Sequence, residues 1–356
     1  MSHAELSGTM PPSERLRFDE AALGRWLHDH LPGFAGLTRI EQFRGGQSNP
    51  TFLLTAADGA RYVLRKKPAG ALLPSAHAVD REFRVISALH ASAVPVARPL
   101  CLCADESVIG TMFYLMEYAS GRNFWDPTLP RMAPVERAAL YEEMSRVMAA
   151  LHTLDYAALG LGDFGKPGNY FARQIGRWSG QYRASATERI EAMDKLLAWL
   201  PANIPVGDET VLVHGDYRLD NLIFASGSPR MLAVVDWELS TLGHPLADFS
   251  YHAMLWRIPA GEAGGLAGID LLPLGIPSEA EYVAAYCVRT GRAPIEPRVW
   301  EFCMAYNLFR IACIRQGIMK RVLEGTAASA HAREAGSKTR ATAELAWRQV
   351  EERLGA

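Results

Sequence analysis

Between residues 211 and 224 the chain reads VLVHGDYRLDNLIF, and its polar residues have the types and spacing for chemistry on a phosphate. An apolar run delivers His214-Gly215-Asp216; Asn221 follows five residues after Asp216, and a second apolar run comes next. Farther on, MLAVVDWE (231–238) places Asp236 at the end of a third apolar run. Moving a phosphoryl group onto a hydroxyl takes a carboxylate that orients the hydroxyl and accepts its proton. It also takes oxygen ligands for the magnesium on the nucleotide phosphates. Asp216 fits the first role, and Asn221 and Asp236 fit the second. Arg218, two residues after Asp216, has the charge to neutralise the group in transit. A capped turn between two strands would use the same residue types. The strands on both sides, and the second aspartate after a third strand, weigh against it.

Such a reaction also needs a phosphate cradle and a cation. Arg44-Gly45-Gly46-Gln47-Ser48-Asn49 sits between two strand candidates. Gly45, Gly46, Gln47 and Ser48 would let backbone amides approach phosphates, although a glycine hairpin turn would look the same. On the next strand, Tyr62-Val63-Leu64-Arg65, alternation puts Val63 under a base and Arg65 toward the phosphates. The kinase pattern has lysine at this position, so Arg65, Lys66 and Lys67 all stand as candidates for the phosphate contact. A solvated strand edge is the alternative. Glu82, on the following helix, is the natural partner to orient the cation. Tyr114-Leu115-Met116-Glu117-Tyr118 ends the strand-rich half, and backbone groups around Glu117 and Tyr118 can meet an adenine edge.

The elements that must hold these residues come in two textures. From Gly36 to Tyr118 the pattern predicts strands at Leu37–Arg44, Thr51–Ala57, Arg61–Lys67, Pro95–Cys103 and Thr111–Tyr118. Asp58-Gly59 marks a tight turn between the second and third. One helix fits Val79–His90, with Val79, Phe83, Ile86 and Leu89 on one face. After Gly121 the chain becomes mainly helical. Helices are predicted at Pro134–Leu154, Tyr170–Tyr182, Glu188–Trp199, Ala247–Trp256, Ser278–Arg289, Pro297–Leu323 and Thr326–Leu354. We divide the chain at 118/119: a nucleotide-binding lobe, 1–118, with an extension over 1–35, and a helical lobe, 119–356.

Composition narrows the function classes. The chain has 356 residues, 49% of them apolar; 37 Lys and Arg against 39 Asp and Glu give a net charge of −2. That balance excludes a bulk basic face for nucleic acid. Five cysteines, with no C-x-x-C pair, offer neither a disulfide framework nor a zinc spacing; Cys303 and Cys313 read as buried thiols. The N-terminal stretch lacks the apolar run of a signal peptide. No segment is long and apolar enough to span a bilayer. The expectation is a cytoplasmic protein that binds neither nucleic acid nor membrane.

His214-x-Asp216 with Asn221, followed by Asp236 after a strand, matches the kinase catalytic loop and metal-binding aspartate. Taken with the order of the other parts, the chain resembles the aminoglycoside phosphotransferase and choline kinase superfamily over roughly Phe34 to Trp347. HGDYRLDNLIF (214–224) and VVDWELSTLGHPLADFSY (234–251) are the most specific pieces. The latter, with GGQSNPTF (45–52) and YVLRKKP (62–68), looks closest to the kinase-like domain of acyl-CoA dehydrogenase fusion proteins. The resemblance implies an α+β, bilobal protein-kinase-like fold. A small antiparallel-sheet N-lobe with one main helix would precede a larger, mainly helical C-lobe. It implies ATP and Mg2+ as cofactors, Asp216 as catalytic base and Asn221 and Asp236 as metal ligands. Asp248 would brace the catalytic loop and His214 would organise it. It further implies transfer of the γ-phosphoryl group to a small-molecule hydroxyl, in the fusion proteins that of a 4-hydroxyacyl-CoA. Only Trp237–Gly243 separates Asp236 from the next helix, and residue 238 is Glu. That leaves no room for a phosphorylatable activation segment.

From Arg310 to Arg340 there are seven basic and two acidic residues. If this stretch borders the acceptor, it suits an anionic one. A cationic acceptor such as an aminoglycoside or amino alcohol, or a catalytically silent nucleotide-binding protein, are the alternatives.

Overall fold

The computed structural model describes residues 8–44, 49–68, 78–261, 264–327 and 331–355. These form two compact units. One comprises the chain to Pro130 together with Ala157–Leu161 and Arg218–Ser240; the other comprises Arg131–Tyr156, Gly162–Tyr217 and the chain from Thr241 on.

The first unit is built on an antiparallel sheet of six strands: β1 (Thr9–Met10), β2 (Leu37–Phe43), β3 (Thr51–Ala56), β4 (Arg61–Lys66), β5 (Pro99–Cys103) and β6 (Phe113–Glu117). They lie in the order β1-β2-β3-β4-β6-β5. Asp58-Gly59 makes the β3–β4 turn: Gly59 has φ 85°, and the Ala60 amide donates to Asp58 Oδ1 at 2.9 Å. One sheet face buries Phe52, Leu54, Leu64 and Leu115 against Leu23 and Leu27 of a helix, α1 (Glu20–His30). The sequence assigns no element to 1–35, yet α1 carries its own signal: Asp19 caps it by accepting from the Ala22 amide at 2.8 Å. A second helix, α2 (Val79–Leu89), buries Val79, Val85, Ile86, Leu89 and also Glu82. A further antiparallel pair, Leu222–Phe224 with Met231–Val234, completes the unit.

The second unit is helical: α3 (Pro134–His152), α4 (Tyr170–Ser185), α5 (Glu191–Ala202), α6 (Pro245–Ala253), α7 (Glu279–Thr290), α8 (Pro297–Leu323), α9 (Ala332–Ser337) and α10 (Thr339–Leu354). The predicted single helix over Thr326–Leu354 is in fact two. Gly336 packs against α8 so closely that a Cβ there would lie 2.9 Å from Met319 Cα, and the chain turns after it, at Lys338. α7 starts with a capping box between Ser278 and Glu281. Val211–Val213 pairs with Thr241–Gly243, a strand that periodicity over three residues could not announce. Cys303 and Cys313 are fully buried free thiols.

Candidate active site

Strand alternation in the sheet unit delivers Val63 and Arg65 to one face of β4. Val63 lies opposite Leu53 and Met116, and Arg65 opposite Thr51 and Tyr114. Arg65 Nε lies 3.0 Å from Glu82 Oε2, and Arg65 Nη2 lies 3.0 Å from Asp236 Oδ1. Glu82 is held from two more sides: Tyr114 OH donates to Oε2 at 2.9 Å, and Asn49 Nδ2 donates to Oε1 at 2.7 Å. Of the three basic residues on this strand end, Arg65 is therefore the one that meets Glu82. Lys66 points to the other face, its Nζ 5.1 Å from the Phe18 ring centroid, and burial pushes its pKa down.

Burial works against the charge of Arg65, but Glu82 foremost, then Tyr114 and Asp236, outweigh it and hold the guanidinium protonated. For Glu82 burial is the largest influence and pushes the carboxyl up, with Arg65 opposing. Carboxylate oxygens of Glu82, Asp236 and Glu238 all lie within 4.8 Å of one another. Hard carboxylate oxygens gathered this closely are what a magnesium ion takes, so the residues present fit one. Asp236 itself has left-handed backbone, φ 67°. Asn221 is buried, and its carbonyl accepts from the Val235 amide at 2.9 Å, so the strand pair fixes its backbone one residue short of Asp236.

Arg218 is half-exposed and ion-paired to Asp220 at 2.7 Å. Gly45, Gly46, Gln47 and Ser48 lie outside the described residues. The Glu117 and Tyr118 amides donate to Arg98 O at 2.9 Å and Arg61 O at 3.2 Å, so a base-edge contact from these two residues falls to their carbonyls.

In the helical unit the apolar strand Val211–Val213 feeds a tight loop. Gly215 has φ 85°, a conformation that glycine adopts freely. The buried carboxylate of Asp248 receives the loop: the His214 amide donates to Oδ2 at 2.7 Å and the Gly215 amide to Oδ1 at 2.8 Å. His152 Nε2 lies 3.2 Å from the same Oδ2, and its Nδ1 lies 2.7 Å from Tyr286 OH. Burial opposes ionisation of Asp248, but the His152 hydrogen bond and the His214 contacts win and hold its carboxyl below the ordinary range. His214 Nδ1 accepts from the Asp216 amide at 3.2 Å, so this ring organises the loop backbone. The Asp216 carboxylate is half-buried, and Tyr251 OH donates to its Oδ1 at 2.5 Å.

Sequence reasoning missed Tyr251, Asn49 and Tyr114. Tyr251 was within reach: it follows Asp248 by three residues on α6, hence on the same helix face. The basic C-terminal stretch is largely engaged locally. Lys320 pairs with Glu324, Lys338 with Glu334 and Arg340 with Glu188, while Arg315 donates to Thr342. Counting charges within 310–340 overlooked partners such as Glu188 outside it.

The model of the phosphotransferase enzyme family matches residues 39–298. The chain belongs to that family. This phosphotransferase is similar to a Ralstonia eutropha protein provisionally named an aminoglycoside phosphotransferase, 55% identical with a TM-score of 0.87, covering 94% of this chain and 99% of that one. It is 45% identical to mouse acyl-CoA dehydrogenase family member 10 and 44% identical to mouse member 11, over 97% and 91% of this chain. The chain spans 32% and 42% of the length of those two relatives. Choline kinase from Cryptosporidium parvum, 12% identical with a TM-score of 0.66 over 94% of this chain and 97% of that one, shares the fold. The architecture is thus the α+β, protein-kinase-like one, in a family of phosphotransferases. Among the described residues no helix is long and apolar enough to cross a membrane.

Proposed function

We propose that this phosphotransferase uses Mg-ATP to phosphorylate the hydroxyl of a small anionic metabolite, a 4-hydroxyacyl-CoA foremost. The observation that carries the nucleotide half is the Arg65–Glu82 pair at 3.0 Å extended to Asp236 at 3.0 Å. A strand cation anchored by a helix glutamate and aimed at a metal-type aspartate is the arrangement kinases need to bind and orient ATP phosphates. It also speaks against a silent protein, because arginine here keeps both the charge and the pairing.

In this reading Val63 lies under the nucleobase, and Arg65 binds the phosphates with Glu82 fixing its direction. Glu117 and Tyr118 would face the base edge, and Gly45, Gly46, Gln47 and Ser48 would cover the phosphates. Asp236 and Asn221, with Glu238 beside Asp236, would hold magnesium. Magnesium bound there would neutralise charge on the nucleotide phosphates. Asp216 orients the acceptor hydroxyl and takes its proton as the oxygen attacks; Tyr251 keeps one carboxylate oxygen fixed meanwhile. Arg218, now paired with Asp220, would have to leave that partner to reach a phosphate. The acyl-CoA acceptor is supported by the relatives, in which the matching stretch is part of proteins named for acyl-CoA dehydrogenase.

The test is ADP release with Mg-ATP across hydroxyacyl-CoAs, amino alcohols, sugars and aminoglycosides. Turnover with 4-hydroxyacyl-CoA is expected, and Asp216→Asn should lower it about 10²- to 10⁴-fold while ATP still binds. Turnover confined to cationic acceptors, or an Asp216→Asn variant of near-normal rate, would sink the assignment.

A further inference from the structure

The helical unit holds a cation that the steps above leave unused. Arg310, on α8, is 8% exposed. Its Nη2 donates to Gly215 O at 2.9 Å, one residue before Asp216. Its guanidinium carbon lies 4.8 Å from the Tyr251 ring centroid and 5.8 Å from that of Trp178. A guanidinium carries five N–H donors, and among the described residues the hydrogen bond to Gly215 is the one it makes. Burial disfavours its charge, yet Tyr306, Tyr251, Tyr170 and Asp216 together keep it protonated. Holding a buried guanidinium for one backbone carbonyl is poor use of it, since a neutral donor would do that. Its remaining donors suit an oxygen ligand.

We infer that Arg310 is the acceptor-recognition residue, receiving an acceptor oxygen, a thioester carbonyl or a carboxylate, close to the hydroxyl that Asp216 orients. This deepens the proposed function and rests on it for the role of Asp216. The aromatic faces of Tyr251 and Trp178 are surfaces on which a cationic acceptor would settle, and they already face a cation. A second positive group there meets repulsion rather than a vacancy. Acceptors are thereby selected for oxygen near the reacting hydroxyl and against ammonium groups.

Steady-state kinetics on the full chain with Mg-ATP test this. Wild type, Arg310→Lys and Arg310→Met are each measured with a 4-hydroxyacyl-CoA, the free 4-hydroxy acid and an amino alcohol. Loss of a charge-assisted hydrogen bond should raise the acceptor KM about 10- to 100-fold in Arg310→Met, with the ATP KM moving far less and Arg310→Lys falling between. A preference for the thioester assigns the carbonyl; a preference for the free acid assigns the carboxylate. Equal rises in both KM values, or a lower kcat at unchanged acceptor KM, would mean that Arg310 merely braces Gly215, and the inference falls. Should Arg310→Met not fold, Arg310→Lys carries the comparison, because its single ammonium lacks the planar fork. If neither hydroxyacyl compound turns over but other anionic alcohols do, the acyl-CoA reading fails, and Arg310 is judged on their KM values. Turnover of the amino alcohol alone overturns both.

Discussion

Replacing Asp248 by asparagine isolates what holds the loop that presents Asp216. The carboxylate accepts from three donors: the His214 amide and His152 Nε2 at Oδ2, and the Gly215 amide at Oδ1. Asparagine can keep its carbonyl at the Oδ2 position, but its NH2 then faces the Gly215 N–H. One buried amide left unsatisfied costs about 1–3 kcal/mol, and two bonds that lose their charge assistance about 1 kcal/mol each, so roughly 3–5 kcal/mol in all. For a helical unit of this size that is a fall in Tm of about 6–20 °C, read by far-UV circular dichroism. Below the melting range, ADP release should fall at least about tenfold, because a shift of Asp216 on the ångström scale disturbs alignment with the hydroxyl. The acid dependence should change too. The folded carboxyl lies below its ordinary 3.8, so its contribution is complete above that value and is lost as pH falls through and below it. Asp248→Asn should lose that acid slope. A variant melting within about 2 °C of wild type, at a scale of 2–4 °C per kcal/mol, would refute the bracing role.

Arg65→Lys should fold but bind ATP more weakly. One ammonium cannot reproduce a fork that reaches both Glu82 and Asp236, so a KM for ATP raised about tenfold is expected from a lost charge-assisted bond; an unchanged KM would remove Arg65 from the phosphate site. His244 and His252 are buried and pushed down to about 4, burial being the main cause in each. Their unfolded forms bind protons first, so stability should decline as pH drops from about 6.5 toward 4. Tm measured across that window should slope downward, less steeply in His252→Gln, and a flat profile would count against the neutral buried rings.

How far the structure was legible in advance depended on the range of each interaction. Asp58-Gly59, the β4 alternation and the long helix α8 follow from neighbours in sequence, and they stand where local pattern puts them. Glu82 shows the limit. Its pairing with the strand cation follows from the pattern, but its full burial depends on Arg65 of β4, Tyr114 of β6 and Asn49, just before β3, all meeting it. Helix α1 has a local signal in its cap Asp19, whereas the break at Lys338 depends on how closely Gly336 meets Met319, which no local pattern encodes. Arg310 is one of seven basic residues between 310 and 340 in the sequence; packing beside Tyr251 and Trp178 distinguishes it.

Asp236 stands in the left-handed region, where a side chain generally costs about 1–2 kcal/mol and glycine nothing. It does so with carboxylate oxygens of Glu82 and Glu238 within 4.8 Å. Folding alone would favour glycine at 236, which would relieve both the backbone and the charge, or asparagine, which would relieve the charge. The sheet unit is therefore less stable than its own sequence could make it, and the shortfall is concentrated at one residue. Selection for thermal stability without selection for turnover would remove Asp236 early. An inactive relative carrying glycine or asparagine at this place would be a scaffold made sturdier by giving up its chemistry.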